Sequence, residues 1–319
     1  MITGGLGMIG STLAHRLVTA GAKVTLVDNC MEPYGANMHN VAGIRSKLQI
    51  NIADIRDREA MKSLVKGKDF IFNLAAQVSH NDSLQAPFLD ADINYLGHLN
   101  VLENIRRHSP NAVVLYSGSR LQFGKIESVP VDESHPLTPL TPYALNKSAA
   151  EYMYRFYDEL HGIRCVLFRI SNSYGPRSQM KHSKYSMVNW FIRQAMENKT
   201  IQIFGDGRQV RDYVYVDDLA AAFLKAAATP AAHGQVFNIG SGEGTSFRDM
   251  VDMILKTVGA GSAAHVPWPQ QYVNVETGDY VANIGKFRRV TSWAPAVSME
   301  EGIRKTYDYY KKHRSRYWI

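Results

Sequence analysis

Tyr143-Ala144-Leu145-Asn146-Lys147 sets a phenol and an ammonium four residues apart. On a helix, that spacing projects both groups from one face. A free tyrosine titrates at about 10 and is a poor base at neutral pH. A cation held beside it favours the phenolate and draws its pKa toward the working range. Upstream, Ser117-Gly118-Ser119 closes the apolar run Ala112-Val113-Val114-Leu115-Tyr116. The Ser119 hydroxyl is available to donate to the oxygen on which a phenolate would act. Such a set suits the removal and return of a proton on a substrate hydroxyl. A tyrosine and lysine on an exposed helix would do no chemistry, so the surrounding elements must decide.

Those elements begin at the N-terminus. Thr3-Gly4-Gly5-Leu6-Gly7-Met8-Ile9-Gly10 reads as a glycine-rich turn feeding a helix, with Leu13, Ala14 and Leu17 at helical spacing and Gly21 at its close. Gly5, Gly7 and Gly10 stand in the G-x-G-x-x-G arrangement. The first serves a tight turn, the second lets backbone amides approach a pyrophosphate, and the third lets the helix pack closely. A strand over 23–27 follows, and Asp28 ends it about twenty residues past the glycines, where a carboxylate meets a ribose. This is the pattern of a dinucleotide site. The positive ring of an oxidised nicotinamide would join Lys147 in favouring the Tyr143 phenolate. Only Met1 and Ile2 precede the turn, so either the recorded start is late or the first strand is unusually short.

Beyond a polar loop at 29–37 the chain alternates: strand 48–52, helix 58–65, strand 69–74, helix 92–107, strand 112–117, helix 142–160, strand 165–170. This predicts an α/β fold, a Rossmann-type doubly wound parallel sheet with helices on both faces. From about Ser171 the segments become loop-rich. Residues 1–170 are expected to form the cofactor domain, with 208–240 returning to it through a helix at 216–228 and a strand at 236–239. Residues 171–207, holding a helix near 187–197 and a strand at 201–204, and residues 241–319 form a smaller C-terminal substrate-binding lobe across a cleft.

Composition sets outer bounds. The 319 residues are 45% hydrophobic and 20% charged, as in ordinary soluble globular proteins. No apolar run approaches a membrane helix, and no basic-then-apolar leader opens the chain. Cys30 and Cys165 are the only cysteines, so no disulfide framework or zinc motif is expected, and a cytoplasmic setting fits. The net charge is +7, of which the segment from Glu300 onward, six Lys/Arg against three acids, supplies +3. No basic run is interleaved with stacking aromatics, so neither nucleic acid nor membrane is an expected partner. A mild positive bias suits an anionic nucleotide substrate.

With these motifs in place, the chain resembles the extended short-chain dehydrogenases/reductases of the NAD-dependent nucleotide-sugar epimerase/dehydratase type. The resemblance runs through TGGLGMIG, Asp28, Asp54-Ile55, Asn73-Leu74-Ala75-Ala76, Ser117 to Gly124, YALNK, RISNSYGPR and GDGRQVRDYVYVDDLA, essentially the whole chain. It implies NAD as cofactor. Gly4, Gly7, Met8, Ile9 and Gly10 would meet the pyrophosphate, Asp28 with Asn29 beside it the adenosine ribose, and Asp54 and Ile55 the adenine. Leu74, Ala75, Ala76, Gln77 and Ser117 would line the cofactor cleft, and Lys147 with Tyr143 its nicotinamide end. Ser119, five residues before Gly124, matches the Ser/Thr of the family's catalytic triad. The Asp28 carboxylate would repel the extra phosphate of NADP.

The resemblance further implies a nucleotide-diphosphate sugar as substrate, a UDP-sugar foremost. Asn172 and Arg211 would contact the diphosphate and Phe204 the base. The competing readings are a loop asparagine, a surface ion pair of Arg211 with Asp212, and a core aromatic. His80, just past a strand end facing the cleft, is open as a substrate contact or as a locally bonded loop histidine. A homodimer through the helices at 92–107 and 142–160 is also implied.

Two departures from the family pattern direct the reading. In the dehydratases, the two residues after the catalytic Ser/Thr include an acid–base carboxylate; here they are Arg120 and Leu121. That points to the epimerase branch. Glu276 stands where 4-epimerases often carry an arginine, and a glutamate does not contact phosphates favourably. Asp279 is left as a candidate for the nucleotide ribose. The resulting expectation is NAD-dependent C4 epimerisation through a transient 4-keto sugar, with Tyr143 taking the proton of the 4-hydroxyl. A 4-ketoreductase or a dehydratase on the same scaffold are the alternatives. A nonenzymatic dinucleotide sensor would have no use for Tyr143 and Lys147.

Overall fold

In the computed structural model, which describes residues 1–318 apart from the side chain of Gln271, the alternation is realised nearly as the pattern predicts. The first half runs β1 (Ile2–Thr3), α1 (Met8–Thr19), β2 (Val24–Asp28), β3 (Leu48–Ile52), α2 (Arg58–Leu64) and β4 (Phe70–Asn73). Next come α3 (His80–Gln85), α4 (Pro87–Ala91), α5 (His98–His108), β5 (Val113–Ser119), α6 (Pro142–His161) and β6 (Cys165–Ile170). The second half adds β7 (Asn172–Tyr174), α7 (Met187–Met196), β8 (Thr200–Phe204), β9 (Val210–Tyr215), α8 (Val216–Ala227) and β10 (Gln235–Ile239). Then follow β11 (Gly244–Ser246), α9 (Phe247–Val258), β12 (Ser262–Val266), α10 (Gln270–Val273), α11 (Gly285–Thr291) and α12 (Met299–His313). No helix among the described residues is long and apolar enough to cross a membrane.

Seven strands form one sheet in the order β10-β6-β5-β4-β1-β2-β3, every neighbouring pair parallel. The order reverses between β1 and β4, and that reversal opens a crevice at the carboxyl ends of the strands. β1 is only two residues long, yet Ile2 and Thr3 pair with Leu26 and Val27 on one side and with Phe72 and Asn73 on the other. The buried Thr3 hydroxyl donates to Asn73 Oδ1 at 2.5 Å and accepts from the amides of Leu74 at 3.0 Å and Ala75 at 3.1 Å. Side-chain hydrogen bonds thus continue where the backbone ladder stops.

One face of the sheet is covered by α1 and α8, through Leu13, Ala14, Leu219 and Phe223. The other meets α2, α5 and α6, through Met61, Val101, Leu102 and Tyr154. With both faces covered, β6 is apolar or paired along its whole length.

The sequence-based division of the lobes needs one correction. Residues 208–215, expected with the return to the cofactor layer, instead form β9, which lies between β7 and β11 in a small second sheet. The buried Asp212 carboxylate accounts for this. It gathers the amides of Ser241 at 2.6 Å, Gly242 at 3.0 Å and Ala282 at 3.1 Å, donors that only lobe loops supply. The return begins at α8, and α11 joins it by packing Phe287 against Phe168 and Phe237. A second difference lies in the helix predicted at 92–107, whose first part, Asp92–Gly97, is wound as a π turn. Gly97 lies against Ile55 so closely that a Cβ would come within 2.8 Å of it.

A buried ion pair ties α6 to β6. Arg169 Nη2 lies 2.6 Å from Glu151 Oε1, and both side chains are almost wholly enclosed. Gln122 Nε2 donates to the other carboxylate oxygen at 2.7 Å. Removing one partner of such a pair leaves an uncompensated buried charge, so Glu151→Ala should cost about 3–5 kcal/mol. The check is the urea midpoint, which breaking the exposed Lys62–Glu59 pair should barely move.

Candidate active site

The carboxyl edge of the sheet and the smaller lobe enclose a cavity of about 600 Å³. Ser119 enters it from the end of β5, and Tyr143 and Lys147 from the first turns of α6. Pro142 opens α6 and Thr141 caps it, its hydroxyl accepting from the Ala144 amide at 3.3 Å. Ser119 in turn caps the short turn Arg120–Phe123. Its hydroxyl accepts from the Leu121 amide at 3.2 Å, while Gln122 Oε1 accepts from the Ser119 amide at 2.8 Å. With its oxygen accepting there, the hydroxyl keeps its proton for a donor role. Because Gln122 is held by Glu151, the buried ion pair anchors this serine.

Burial pushes the Tyr143 phenol up to about 12, with the Ser119 hydroxyl drawing it back and Asp90 pushing it further. Burial likewise brings the Lys147 ammonium down to about 8, against the pull of Asp90. The ammonium donates to the Ser117 carbonyl at 2.9 Å and lies 5.2 Å from the ring centre of Tyr116. The lowering of the Tyr143 pKa expected from Lys147 is therefore absent from the protein alone: desolvation outweighs it, and the cation is engaged elsewhere. Asp90 is buried and accepts from Asn146 at 2.8 Å and Asn94 at 3.0 Å.

In the cofactor half, Gly4 rather than Gly5 takes the left-handed conformation of the turn, with φ +64°. A Cβ on Gly10 would stand 2.3 Å from the Gly4 carbonyl oxygen. Helix α1 has neither a side-chain cap nor an acid in its first turn. Among the described residues, the amides of Met8, Ile9 and Gly10 have no backbone carbonyl partner. These residues and Gly7 line the cavity, an arrangement suited to an anion. Asp28 braces the turn, accepting from the Leu6 and Cys30 amides at 3.0 Å each, and burial raises its pKa. Asn29 donates to Asp54 at 2.8 Å, and Arg56 forks onto the same carboxylate. Burial would raise Asp54, but Arg56 and Asn29 hold it at about 2. Ile55, Leu74, Ala75, Ala76 and Ser117 also line this half. Gln77 does not. It is buried, its side chain donating to the Ser79 carbonyl at 2.8 Å while its backbone carbonyl accepts from Asn94 at 2.9 Å.

His80, Ser119, Asn172, Phe204 and Arg211 line the other half. Asp279 stays outside, exposed, with its carboxylate accepting from the Val210 amide at 2.8 Å. Arg211 pairs with Glu276 rather than with Asp212, and also donates to the carbonyls of Val210 at 2.8 Å and Gly278 at 3.0 Å. Burial, then the Arg120 charge, brings His80 down to about 4, so it is neutral at pH 7. Phe204 packs 5.7 Å from Trp268 and 5.8 Å from Tyr272, forming an aromatic wall. The sequence reading passed over Trp268 and Tyr272, which lie in a stretch without periodicity. It read Arg120 only for the carboxylate it replaces; adjacency to Ser119 was the one available signal.

A dinucleotide-type cleft carrying a serine, tyrosine and lysine at its centre defines an enzyme of the dinucleotide-dependent, tyrosine–lysine class. A family model described as "NAD dependent epimerase/dehydratase family" matches residues 1–240. The chain is 34% identical over 315 residues to the UDP-glucose 4-epimerase of Mycolicibacterium smegmatis, covering 98% of each. Its fold matches the UDP-glucose 4-epimerase of Thermotoga maritima, solved with UDP-glucose, at a TM-score of 0.90 and 28% identity over 98% of each chain. It also matches the dTDP-glucose 4,6-dehydratase DesIV of Streptomyces venezuelae, solved with NAD, at 0.89 and 26%, covering 99% and 98% of the two chains. The chain belongs to the NAD dependent epimerase/dehydratase family.

The depressed Lys147 pKa has a consequence for stability. The unfolded lysine binds its proton up to about pH 10.4, the folded one only to about 8. The penalty is therefore full below pH 8 and fades to nothing as the pH rises through 10.4. Lys147→Met should abolish turnover while raising the melting temperature of the cofactor-free protein at pH 7, with the gain shrinking above pH 8. Thermal melts across that pH range check it.

Proposed function

We propose that the protein epimerises a nucleotide-diphosphate sugar, a UDP-sugar foremost, at C4, with NAD as its bound cofactor. The observation that carries this is the catalytic corner. Ser119, Tyr143 and Lys147 converge on one cavity, and the two residues following Ser119 are Arg120 and Leu121 rather than an acid. Glu276, in the same half, is held by Arg211 and so is poorly placed to serve as a dehydratase acid. The unpartnered amides of Met8, Ile9 and Gly10 and the Asp28 carboxylate fit a dinucleotide, and the acid disfavours a 2′-phosphate. The UDP-glucose 4-epimerase relatives support the substrate class.

When bound, NAD supplies a hydride acceptor and donor, which makes inversion at C4 redox-neutral. Tyr143 is the group that takes the proton of the 4-hydroxyl and returns it. Ser119 donates to the same oxygen and orients it. Lys147 would hold the nicotinamide ribose and contribute its charge. With its phenol near 12 in the protein alone, Tyr143 holds its proton until further positive charge enters the cleft, so the base is formed only in the loaded site.

Incubation with UDP-glucose, UDP-N-acetylglucosamine, UDP-glucuronate and GDP-, CDP- or dTDP-sugars should yield an inverted sugar centre by NMR, with no net change in NADH absorbance. Tyr143→Phe should lower kcat by about 10²–10⁴-fold with little change in KM. Full activity in that variant would sink the mechanism. Stoichiometric NADH consumption would indicate a ketoreductase, and loss of water in the product mass a dehydratase.

The protein is further proposed to act as a homodimer through α6 and the helical segment at 92–107. Leu145, Tyr152, Phe156 and Leu160 form one stripe along α6 at 55–62% exposure, beside Phe88, which is 86% exposed. A continuous apolar stripe of this kind marks an interaction surface. Phe156→Lys should halve the mass measured by light scattering.

A further inference from the structure

Arg120 carries a charge that the protein does not balance. Its guanidinium is buried beside Ser119 in the substrate half of the cavity. Nε donates to Asn172 Oδ1 at 2.7 Å and Nη1 to Thr277 Oγ1 at 3.0 Å, both neutral oxygens. One face lies 5.4 Å from the ring centre of Tyr280. Among the described residues, Nη2 has no hydrogen-bond partner and Arg120 enters no ion pair. Burial, then the neighbouring charge of Arg211, draws its pKa down to about 10, so it is still a cation at neutral pH.

Arg211 stands in the opposite condition. Glu276 neutralises it, and Nη1 is taken by two backbone carbonyls. With His80 neutral and the cavity-lining Lys184 paired with Asp82 at 2.9 Å, the charges left in the substrate half are two guanidinium groups and one carboxylate. The net positive charge resides on Arg120. A buried cation surrounded only by dipoles is costly, and an oxyanion at Nη2 would convert that cost into a charge-assisted bond. Position agrees with charge. Arg120 follows Ser119 in the chain, and its partner Thr277 follows Glu276. The guanidinium therefore lies between the reacting corner and the Arg211–Glu276 pair.

We propose that Arg120, rather than Arg211, is the residue that binds the anionic oxygen of the substrate in this cavity. The proposal rests on the nucleotide-sugar reading. A nucleotide sugar offers that chemistry from two sources, the phosphate joined to the sugar and, in a sugar acid, the carboxylate.

The test is calorimetric titration of the NAD-loaded wild type, Arg120→Gln and Arg120→Lys with UMP, UDP, UDP-glucose and UDP-glucuronate. Arg120→Gln should weaken UDP and both sugars by about ten- to a hundred-fold, the span of a charged hydrogen bond, with UMP shifting less. Arg120→Lys should recover part of the loss. A loss confined to UDP-glucuronate would identify the carboxylate as the source. Adding Glu276→Gln to Arg120→Gln frees Arg211 and should restore affinity, a recovery that a merely structural defect would not show. The proposal is overturned if folded, NAD-loaded Arg120→Gln binds UDP, UDP-glucose and UDP-glucuronate within about two-fold of wild type. It is equally overturned if neither the lysine nor the second substitution recovers any loss. A wild type that binds no uridine, thymidine, guanosine or cytidine diphosphate overturns the nucleotide-sugar reading, and this assignment with it.

Discussion

The parting of β1 and β4 is the constraint on which the site depends. Parallel strands all end at one edge, and where their order reverses the following loops must diverge, leaving a crevice no side chain fills. Here the pivot is a strand of two residues. Its ladder is too short to fix the divergence alone, and the Thr3 hydroxyl supplies what the ladder lacks by binding Asn73 and the amides of Leu74 and Ala75. The same Asn73 donates to Tyr154 at 2.6 Å and contacts His98 at 3.1 Å. One polar cluster thus joins the glycine turn, the loop after β4 and the helix that carries Tyr143 and Lys147.

From that pivot the structure builds outward with buried polar groups, each costly if unpartnered. Glu151 and Arg169 hold Gln122, and Gln122 holds Ser119. Asp90 holds Asn146, next in the chain to Lys147. Tyr143 and Lys147 are the exceptions, since burial displaces both pKa values away from the charged forms and, among the described residues, no carboxylate pairs with Lys147. The scaffold is satisfied while the reacting pair is left electrostatically incomplete, a condition that favours a cationic cofactor ring beside it. Burial of the Lys147 ammonium lowers stability at that point.

Local pattern made much of this legible. Glycine spacing located the turn before α1, continuous apolar runs located the buried strands, and the i,i+4 phenol and ammonium were placed together on one face of α6 at the cavity, because each is set by the residue's own backbone neighbours. What the pattern did not carry was decided by contacts distant in the chain. Gln77 looks like a continuation of the cleft-lining run, but its side chain is taken by the Ser79 carbonyl and its backbone carbonyl by Asn94 on another segment. Asp279 and residues 208–215 were misplaced because the lobe is folded by polar bonds, Asp212 to three amides and Asp279 to Val210, which leave no period in the sequence. The shift of the tight turn from Gly5 to Gly4 is a one-residue matter that glycine spacing alone could not settle.

Arg211 shows why side-chain type is a weaker guide than side-chain company. Read by itself, it is a cation aimed at phosphate. Read with Glu276, it is a neutral pair whose carboxylate would repel an incoming anion at close range. The cavity as a whole still favours anions, because Arg120 stands beside that pair with only amide and hydroxyl dipoles for hydrogen-bond partners. The same Arg120 charge helps hold His80 neutral, so no imidazolium adds to the charge of this half. A single guanidinium therefore sets both the excess charge of this half and the protonation of His80, through its charge rather than through any contact with Tyr143.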